Sequence, residues 1–318
     1  MHPFAYHRAT SDSDATARLG GGASPLGGGT DLLVLVREDL ARPTELVDLR
    51  YIPGWRGIDE AADGGFSIGA GTRVSEIAGD TRVRTALPAL ALACESVATP
   101  AIRHMATLGG NLCQRPRCWY FRRSIPCLKN GGIDCPAVPG ENQYHAILSG
   151  GPCHIVHPSD PAVALVALDA TVEITGPAGT RTLPIEGFFR TPRQRLDTET
   201  ALEPGEVVSR ITIPRESRGP QRFEKLMQRA SWDFALVSLA AVRRTDGDVR
   251  MVLGGVAPVP WRVGTSIEED VAAASLDEDT IATLVERALY DARPLSKNGY
   301  KVRLAGALLR RAMEELGT

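Results

Sequence analysis

The sequence lacks a strong excess of charge of either sign and lacks long apolar runs. Its 36 basic and 38 acidic residues leave a net charge of −2, which argues against a nucleic-acid-binding surface. There is no run of about eighteen apolar residues, so we expect no membrane span. The N-terminus shows no basic segment followed by an apolar one, which predicts a cytoplasmic chain. Export to the periplasm, bound to a partner that carries a twin-arginine signal, stays open.

Two common cofactor fingerprints are also missing. No GxGxxG turn lies between a strand and a helix, as the dinucleotide-binding motif of the Rossmann fold requires. No paired CxxC hairpins occur, as a zinc knuckle would need. Cysteine is scarce, with six residues in the chain, yet five of them lie between positions 113 and 153.

The rest of the sequence alternates short strand and helix patterns, which is typical of a mixed domain of helices and strands. The Cys-rich segment from about 114 to 156 interrupts this pattern as an insertion. A composition break at 214–221 predicts a linker. Beyond it, two strands joined by an Asp-Gly turn and two amphipathic helices predict a small α+β domain.

Two glycine-rich turns can bring backbone N–H groups close to an anion. The first precedes an apolar helix and consists of Gly27, Gly28, Gly29, Thr30 and Asp31. The second contains Thr107, Gly109, Gly110 and Asn111. Two such turns would clamp an extended dinucleotide from both ends, although a flexible surface loop explains either turn taken alone.

The spacing of the clustered cysteines leaves three kinds of site open. The main candidates are Cys118, Cys127, Cys135 and Cys153. Disulfides would suit an exported protein, and a zinc site would use four thiolates but is usually built from CxxC pairs. An iron-sulfur cluster tolerates irregular spacing in a pinned loop. Five nearby basic residues would offset the charge of the thiolates, namely Arg115, Arg117, Arg122, Arg123 and Lys129.

Six motifs follow one another along nearly the whole chain. They are "GGGTDLL", "TLGGNL", "HPSDPAVALVALDATVEI", "LEPGEVVSRITIP", "FEKLMQRASWDFALVSLAAV" and "LGGVAPVPWRV". Together they resemble the FAD-binding subunits of the molybdenum hydroxylases, the family of xanthine dehydrogenase and carbon monoxide dehydrogenase. The resemblance implies that both glycine turns hold the FAD pyrophosphate. It also implies that Asp160 and Lys225 contact the cofactor, with Ser159 close by. From their position, Trp232 and Phe234 would lie near the isoalloxazine ring, and core aromatic residues at the start of a strand are the alternative.

The resemblance also implies the fold. We expect an α+β chain with a two-subdomain FAD-binding domain of the molybdenum-hydroxylase and vanillyl-alcohol-oxidase type at 1–217. Its subdomains would span about 1–55 and 56–217. A C-terminal α+β domain would follow at 218–318.

A minority of these FAD subunits has a cysteine-bearing loop with an additional [4Fe-4S] cluster. The pattern "RCWYF…PC…DC…PCHIVHPSD" resembles that of bacterial periplasmic aldehyde oxidoreductase. This resemblance implies four ligands, Cys118, Cys127, Cys135 and Cys153. Cys113 would replace one of them if the loop folds differently, and Cys94 is expected to be a buried apolar side chain.

The implied function is electron transfer through FAD and a [4Fe-4S] cluster to an external acceptor. The partners would be a large subunit with the molybdenum cofactor and a small subunit with [2Fe-2S] clusters, in a heterotrimer. No side chain is assigned as a catalytic acid or base. An aldehyde is the expected substrate, with aromatic acyl-CoA or N-heterocyclic substrates as alternatives. A stand-alone flavoprotein oxidase and a zinc-stapled subunit without FAD are the rival classes.

Overall fold

Three β-sheets organise the chain in this computed structural model, which describes residues 2–273 and 276–316. The N-terminal unit consists of β1 (Ala5–Arg8), α1 (Asp12–Arg18), β2 (Ala23–Leu26), α2 (Leu32–Arg37) and β3 (Glu45–Asp48). Its sheet is parallel, with the order β1-β3-β2. The first glycine turn joins the end of β2 to α2. It therefore lies at the carboxyl end of a parallel strand, where open α/β sheets bind ligands.

A five-stranded antiparallel sheet forms the middle unit. Its strands are β4 (Ile58–Glu60), β5 (Phe66–Gly69), β6 (Thr171–Gly176), β7 (Gly179–Pro184) and β8 (Val207–Ile213). Their order is β4-β5-β8-β6-β7. The helices are α3 (Val74–Gly79), α4 (Thr81–Ala86), α5 (Pro88–Glu95), α6 (Pro100–Arg103), α7 (Leu108–Leu112), α8 (Trp119–Arg122) and α9 (Asp160–Ala167). All residues of α9 are buried, because this apolar helix packs on both the middle and the C-terminal unit.

The C-terminal unit contains a four-stranded antiparallel sheet and three helices. They are β9 (Gln221–Leu226), β10 (Val237–Arg243), β11 (Val249–Gly254), β12 (Trp261–Arg262), α10 (Thr265–Ala273), α11 (Glu278–Ala288) and α12 (Tyr300–Leu316). The strand order is β12-β11-β10-β9. Ala240 and Val242 of β10 face the core that contains α9, whereas Leu239 and Ala241 face the helices of this unit. The alternation matches the two-residue period of a strand covered on both sides.

The α+β fold class is confirmed, and so is the hairpin of β10 and β11. The linker predicted at 214–221 stays a prediction, and this segment packs against the rest of the chain. Arg215–Arg218 form a 3-10 turn in which Ser217 is buried and donates its hydroxyl hydrogen to Leu168 O. This segment is therefore part of the packed structure. Across the described residues, no helix combines the length and the apolar character that crossing a bilayer demands.

The Cys-rich insertion is held from two sides. Its first part bonds to the N-terminal and middle units, through Asp31 and Glu199. Its later part bonds to the segment before α12. Arg293 N–H donates to Ile147 O at 2.7 Å, and Asn298 Nδ2 donates to His145 O at 3.0 Å. The insertion thus connects the N-terminal and middle units with the C-terminal unit.

Candidate functional site

The first glycine turn, 27–31, forms one wall of a cavity of about 300 Å³. Within the described chain, none of the five backbone N–H groups of this turn donates a hydrogen bond. The second glycine turn and Cys113 line the same cavity. Free N–H groups at a turn form a binding site for an anion such as a pyrophosphate.

In the second glycine turn, 107–111, the N–H groups of residues 108–111 already donate hydrogen bonds within the chain. Gly109 N–H donates to Ala70 O at 2.8 Å, and Gly110 N–H donates to Thr107 Oγ1 at 3.3 Å. Asn111 N–H donates to Thr107 O at 2.9 Å. This turn therefore contributes a wall, while the free donors come from the first turn.

The first turn touches the second turn at Gly27, and the residues just before the second turn at Gly28. A Cβ atom at this position would overlap the carbonyl oxygen of Met105, and a Cβ atom at Gly27 would lie 2.6 Å from Thr107 Oγ1. Only residues without a side chain permit this approach. The contact sets the separation of the two turns.

Asp31 faces the insertion, although it was expected at the pyrophosphate. Its carboxylate accepts a hydrogen bond from Arg115 N–H at 2.8 Å. It also pairs with Arg117 and Arg122, at 2.7 and 2.8 Å. Asp31 therefore connects the first glycine turn to the Cys-rich insertion.

A larger cavity, of about 420 Å³, lies between the insertion, the start of α9 and the C-terminal sheet. The predicted residues Ser159, Asp160 and Phe234 line it. Four buried polar atoms of its lining residues have no hydrogen-bond partner in the described chain: Arg117 Nε, His145 Nδ1, His157 Nε2 and Ser238 Oγ. Because buried polar groups are rarely unpaired, this wall fits a flat ligand with donors and acceptors along its edge. The volume is that of a cofactor site.

Two other predicted residues lie outside this lining. Trp232 is 61% exposed, with Arg229 over its ring. Lys225 donates from Nζ to Asp160 Oδ2 at 2.8 Å and to Ser96 O at 3.0 Å. Lys225 therefore acts on the cavity through Asp160.

The start of α9 links the two cavities. Ser159 Oγ donates to Asn111 Oδ1 at 2.6 Å and accepts from Ala162 N–H at 3.1 Å. This N-cap brings the second glycine turn next to the larger cavity. Burial raises the pKa of the Asp160 carboxyl, and Lys225 partly offsets this effect.

The replacement Lys225→Met is expected to destabilise the fold by about 3–5 kcal/mol, because it leaves Asp160 buried without a cation. The loss should shrink as the pH falls. Burial raises the pKa of Asp160 in the folded state, so the folded variant binds a proton more readily than the unfolded chain. Denaturant unfolding at pH 5 and pH 8 measures both effects. The double replacement Asp160→Asn, Lys225→Met should recover most of the loss, and an equal loss at both pH values would contradict the explanation.

Four cysteines surround one small cavity: Cys118, Cys127, Cys135 and Cys153. Cys153 donates a hydrogen bond that lowers the pKa of the Cys135 thiol, whereas burial raises the pKa of Cys118 to about 11. Among the described residues, no group of three or more His, Cys, Asp or Glu side chains is placed to hold a single metal ion. A [4Fe-4S] cluster takes each cysteine at a different iron atom, so its thiolates stand farther apart than the ligands of a single ion.

The four-cysteine cavity shares a wall with the larger cavity. Cys118 and Ile155 line both. His145 Nε2 lies 3.3 Å from Cys118 Sγ, and His145 also lines the larger cavity. A group bound by the cysteines would therefore be next to a ligand of the larger cavity.

Four of the five basic residues of the insertion pair with two carboxylates. Lys129 lines the four-cysteine cavity and donates to Glu199 Oε1 at 2.6 Å. Arg115 Nε lies 2.6 Å from Glu199 Oε2, and Asp31 pairs with Arg117 and Arg122. Of the five basic residues expected to offset thiolate charge, Lys129 is the one on the cavity wall.

The two remaining cysteines lie elsewhere. Cys113 lines the cavities beside the glycine turns, and burial raises the pKa of its thiol to about 12. Cys94 lies fully buried in the core on α5, where burial also raises its pKa. Neither lines the four-cysteine cavity.

Sequence reasoning missed three residues that hold the insertion: Glu199, Asn298 and Lys301. Their partners lie far away in the chain, 70 residues for Lys129 with Glu199 and 153 for His145 with Asn298. No local motif marks such contacts. Only the fold brings these residues together.

Comparison with known proteins places this architecture in one family. The family "FAD binding domain in molybdopterin dehydrogenase" matches residues 2–216, and "CO dehydrogenase flavoprotein C-terminal domain" matches residues 222–316. The aldehyde oxidoreductase FAD-binding subunit PaoB of Escherichia coli (strain K12) is 36% identical over 99% of this chain and 98% of that protein. The carbon monoxide dehydrogenase medium chain of Hydrogenophaga pseudoflava is 28% identical over 98% and 96%.

Solved structures agree with the sequence relatives. The reconstituted CO dehydrogenase from Oligotropha carboxidovorans includes a chain that superposes with a TM-score of 0.76 at 28% identity, over 99% of this chain and 98% of that one. The relatives are oxidoreductase subunits, and the FAD-binding domain covers two thirds of the described fold. The chain therefore belongs to the FAD-binding subunits of the molybdenum hydroxylases.

Proposed function

We propose that this chain carries FAD and a [4Fe-4S] cluster in a heterotrimeric molybdenum-dependent aldehyde oxidoreductase. In that role it passes electrons from a molybdenum subunit and a [2Fe-2S] subunit to an external acceptor. The observation that carries the proposal is the four-cysteine cavity, which shares Cys118 with the cavity that fits a flavin ring. The similarity to an aldehyde oxidoreductase FAD-binding subunit supports the substrate class.

The residues present fit FAD. The free N–H groups of Gly27, Gly28, Gly29, Thr30 and Asp31 would hold the pyrophosphate, against a wall made by Thr107 and Gly110 of the second turn. Gly109 and Asn111 would support this wall from behind. The ring would lie in the larger cavity beside Ser159, Asp160 and Phe234, with Trp232 at its outer rim. Lys225 would fix the position of Asp160. When bound, FAD supplies exchange between one-electron and two-electron transfer.

The residues present also fit a [4Fe-4S] cluster. Cys118, Cys127, Cys135 and Cys153 offer four sulfur ligands around one cavity, and the buried Lys129 offers a positive charge on its wall. The hydrogen bonds from 1–217 and from 218–318 hold the insertion from both sides, so the ligands need little rearrangement. A cation beside the thiolates favours their deprotonated form, which iron requires.

Aldehyde-dependent reduction tests this function. We expect a tagged form of this chain to co-purify with two partner subunits, and its flavin absorbance to bleach within one turnover when an aldehyde is added anaerobically. Xanthine and carbon monoxide are the matched controls, because relatives of this chain belong to enzymes with those names. Bleaching by either of these and not by aldehydes would contradict the proposed substrate class.

A further inference from the structure

Lys301, at the start of α12, is a fully buried lysine behind the wall of the larger cavity. We propose that Lys301 is a positioning residue that holds this wall and whose positive charge favours the reduced form of the FAD. The inference rests on the proposed placement of the flavin ring in the larger cavity. Lys301 belongs neither to the glycine turns nor to the four cysteines, so it would be a further residue that acts on the flavin.

The geometry ties Lys301 to both halves of the cavity wall. Its Nζ donates to Tyr144 O at 2.9 Å, in the insertion, and to Gly255 O at 2.7 Å, after β11. Tyr144 and Gly255 both line the larger cavity. The ammonium group thus joins the two sides of the wall from behind.

Other hydrogen bonds already hold this wall without a charge. Asn298 Nδ2 donates to His145 O at 3.0 Å and to Ala146 O at 3.2 Å. The Tyr300 hydroxyl donates to Gln143 O at 2.8 Å. A neutral donor would therefore suffice for packing. A lysine is almost never fully buried without a counter-ion, which points to a use for the charge itself.

No carboxylate compensates Lys301 in the described structure, where it forms no ion pair. The titratable residues around it are His145, whose pKa the charge of Lys301 lowers, Tyr144, whose backbone oxygen accepts its hydrogen bond, and Tyr300, its neighbour on α12. Burial, and then the charge of Lys301, lower the pKa of His145 to about 4, so this imidazole is neutral near pH 7. Burial lowers the pKa of Lys301 itself to about 7.

The consequence follows from Coulomb's law. Each electron that FAD accepts from a reductant adds one negative charge unless a proton follows, and a nearby cation in the protein interior stabilises that charge. Below pH 7 Lys301 supplies the cation directly. Above pH 7 Lys301 is neutral in the oxidised protein, and it becomes charged only if it binds a proton from solvent when the FAD is reduced. Its stabilisation of the reduced FAD therefore weakens as the pH rises.

The test measures the equilibrium between FAD and a reference dye in the purified complex, reduced stepwise with dithionite at pH 6 and pH 9. For Lys301→Met we expect reduction to be about tenfold less favourable at pH 6, the effect of one charge roughly 12 Å from the flavin ring at an effective dielectric constant of about 20, with a much smaller change at pH 9. Tyr300→Phe removes a neutral hydrogen bond to the same wall and should change neither value. An unchanged equilibrium in Lys301→Met at pH 6, or an equal shift in Tyr300→Phe, would overturn the proposal.

Lys301→Arg keeps the proposal testable if Lys301→Met loses its fold or its FAD. Arginine stays charged at both pH values, so this variant should match the wild type at pH 6 and be reduced more easily than the wild type at pH 9. Equality with the wild type at pH 9 would overturn the proposal. Iron is measured on the same samples. FAD without iron would refute the [4Fe-4S] function, yet the flavin equilibrium would still decide the role of Lys301.

Discussion

A methyl group at position 28 is expected to remove FAD from this protein. In Gly28→Ala the new Cβ would overlap the Met105 carbonyl oxygen, so the first glycine turn must move away from the segment that leads into the second turn. The free N–H groups of the first turn would then leave the position that the pyrophosphate needs. We expect the FAD content after gel filtration to fall below about one tenth, and the Kd for added FAD to rise by about 100-fold or more, which is roughly 2.7 kcal/mol.

Gly79→Ala is the matched control. Gly79 ends α3, and a Cβ atom there meets nothing within 4 Å. This replacement should keep the FAD and leave stability unchanged or slightly higher. Circular dichroism on both variants separates the loss of cofactor from the loss of fold. A folded Gly28→Ala protein with full FAD would show that the turns do not bind the pyrophosphate.

The second large effect is expected at Cys127. Cys127→Ser removes one of the four sulfur atoms around the small cavity and leaves a hydroxyl, which is a far weaker ligand for iron. We expect the iron content of this chain to fall from four atoms to nearly none after aerobic purification. The flavin should remain bound, because Cys127 lines neither the glycine-turn cavity nor the larger cavity.

Two further cysteine replacements serve as controls for Cys127→Ser. Cys113→Ala tests the cysteine beside the glycine turns, and Cys94→Ala tests the one in the α5 core. Both variants should keep four irons per chain, since neither cysteine lines the four-cysteine cavity. Iron loss in Cys113→Ala with iron retained in Cys127→Ser would mean that Cys113 takes the place of Cys127 in the ligand set.

Local sequence patterns predicted the fold class and several elements well. The apolar run after the first glycine turn forms α2, and the Asp-Gly turn joins β10 to β11. These elements depend on residues that are neighbours in sequence, so periodicity and turn chemistry reveal them. The packing of the segment 214–221 could not be predicted in this way. Its Pro, Gly and Arg content is typical of a loop, while the burial of Ser217 against Leu168 is a long-range contact.

The site was predictable in its residue types and not in its connections. The glycine turns and the cysteines were found because each motif is local. The direction of Asp31, towards three arginines of the insertion, depends on a contact across 84 residues or more. The burial of Lys301 could not be predicted from the sequence, since a lysine at the start of an amphipathic helix is normally solvated. Which lysine is buried is decided by packing alone.

The central claim is that this chain binds a [4Fe-4S] cluster beside its FAD. The most direct measurement is iron, acid-labile sulfide and FAD per chain in the anaerobically purified complex, corrected for the [2Fe-2S] subunit, with an EPR spectrum after dithionite reduction. The account predicts four irons, four sulfides and one FAD in this chain, with a reduced-cluster signal that Cys127→Ser abolishes. FAD without iron, and a spectrum unchanged by Cys127→Ser, would contradict it.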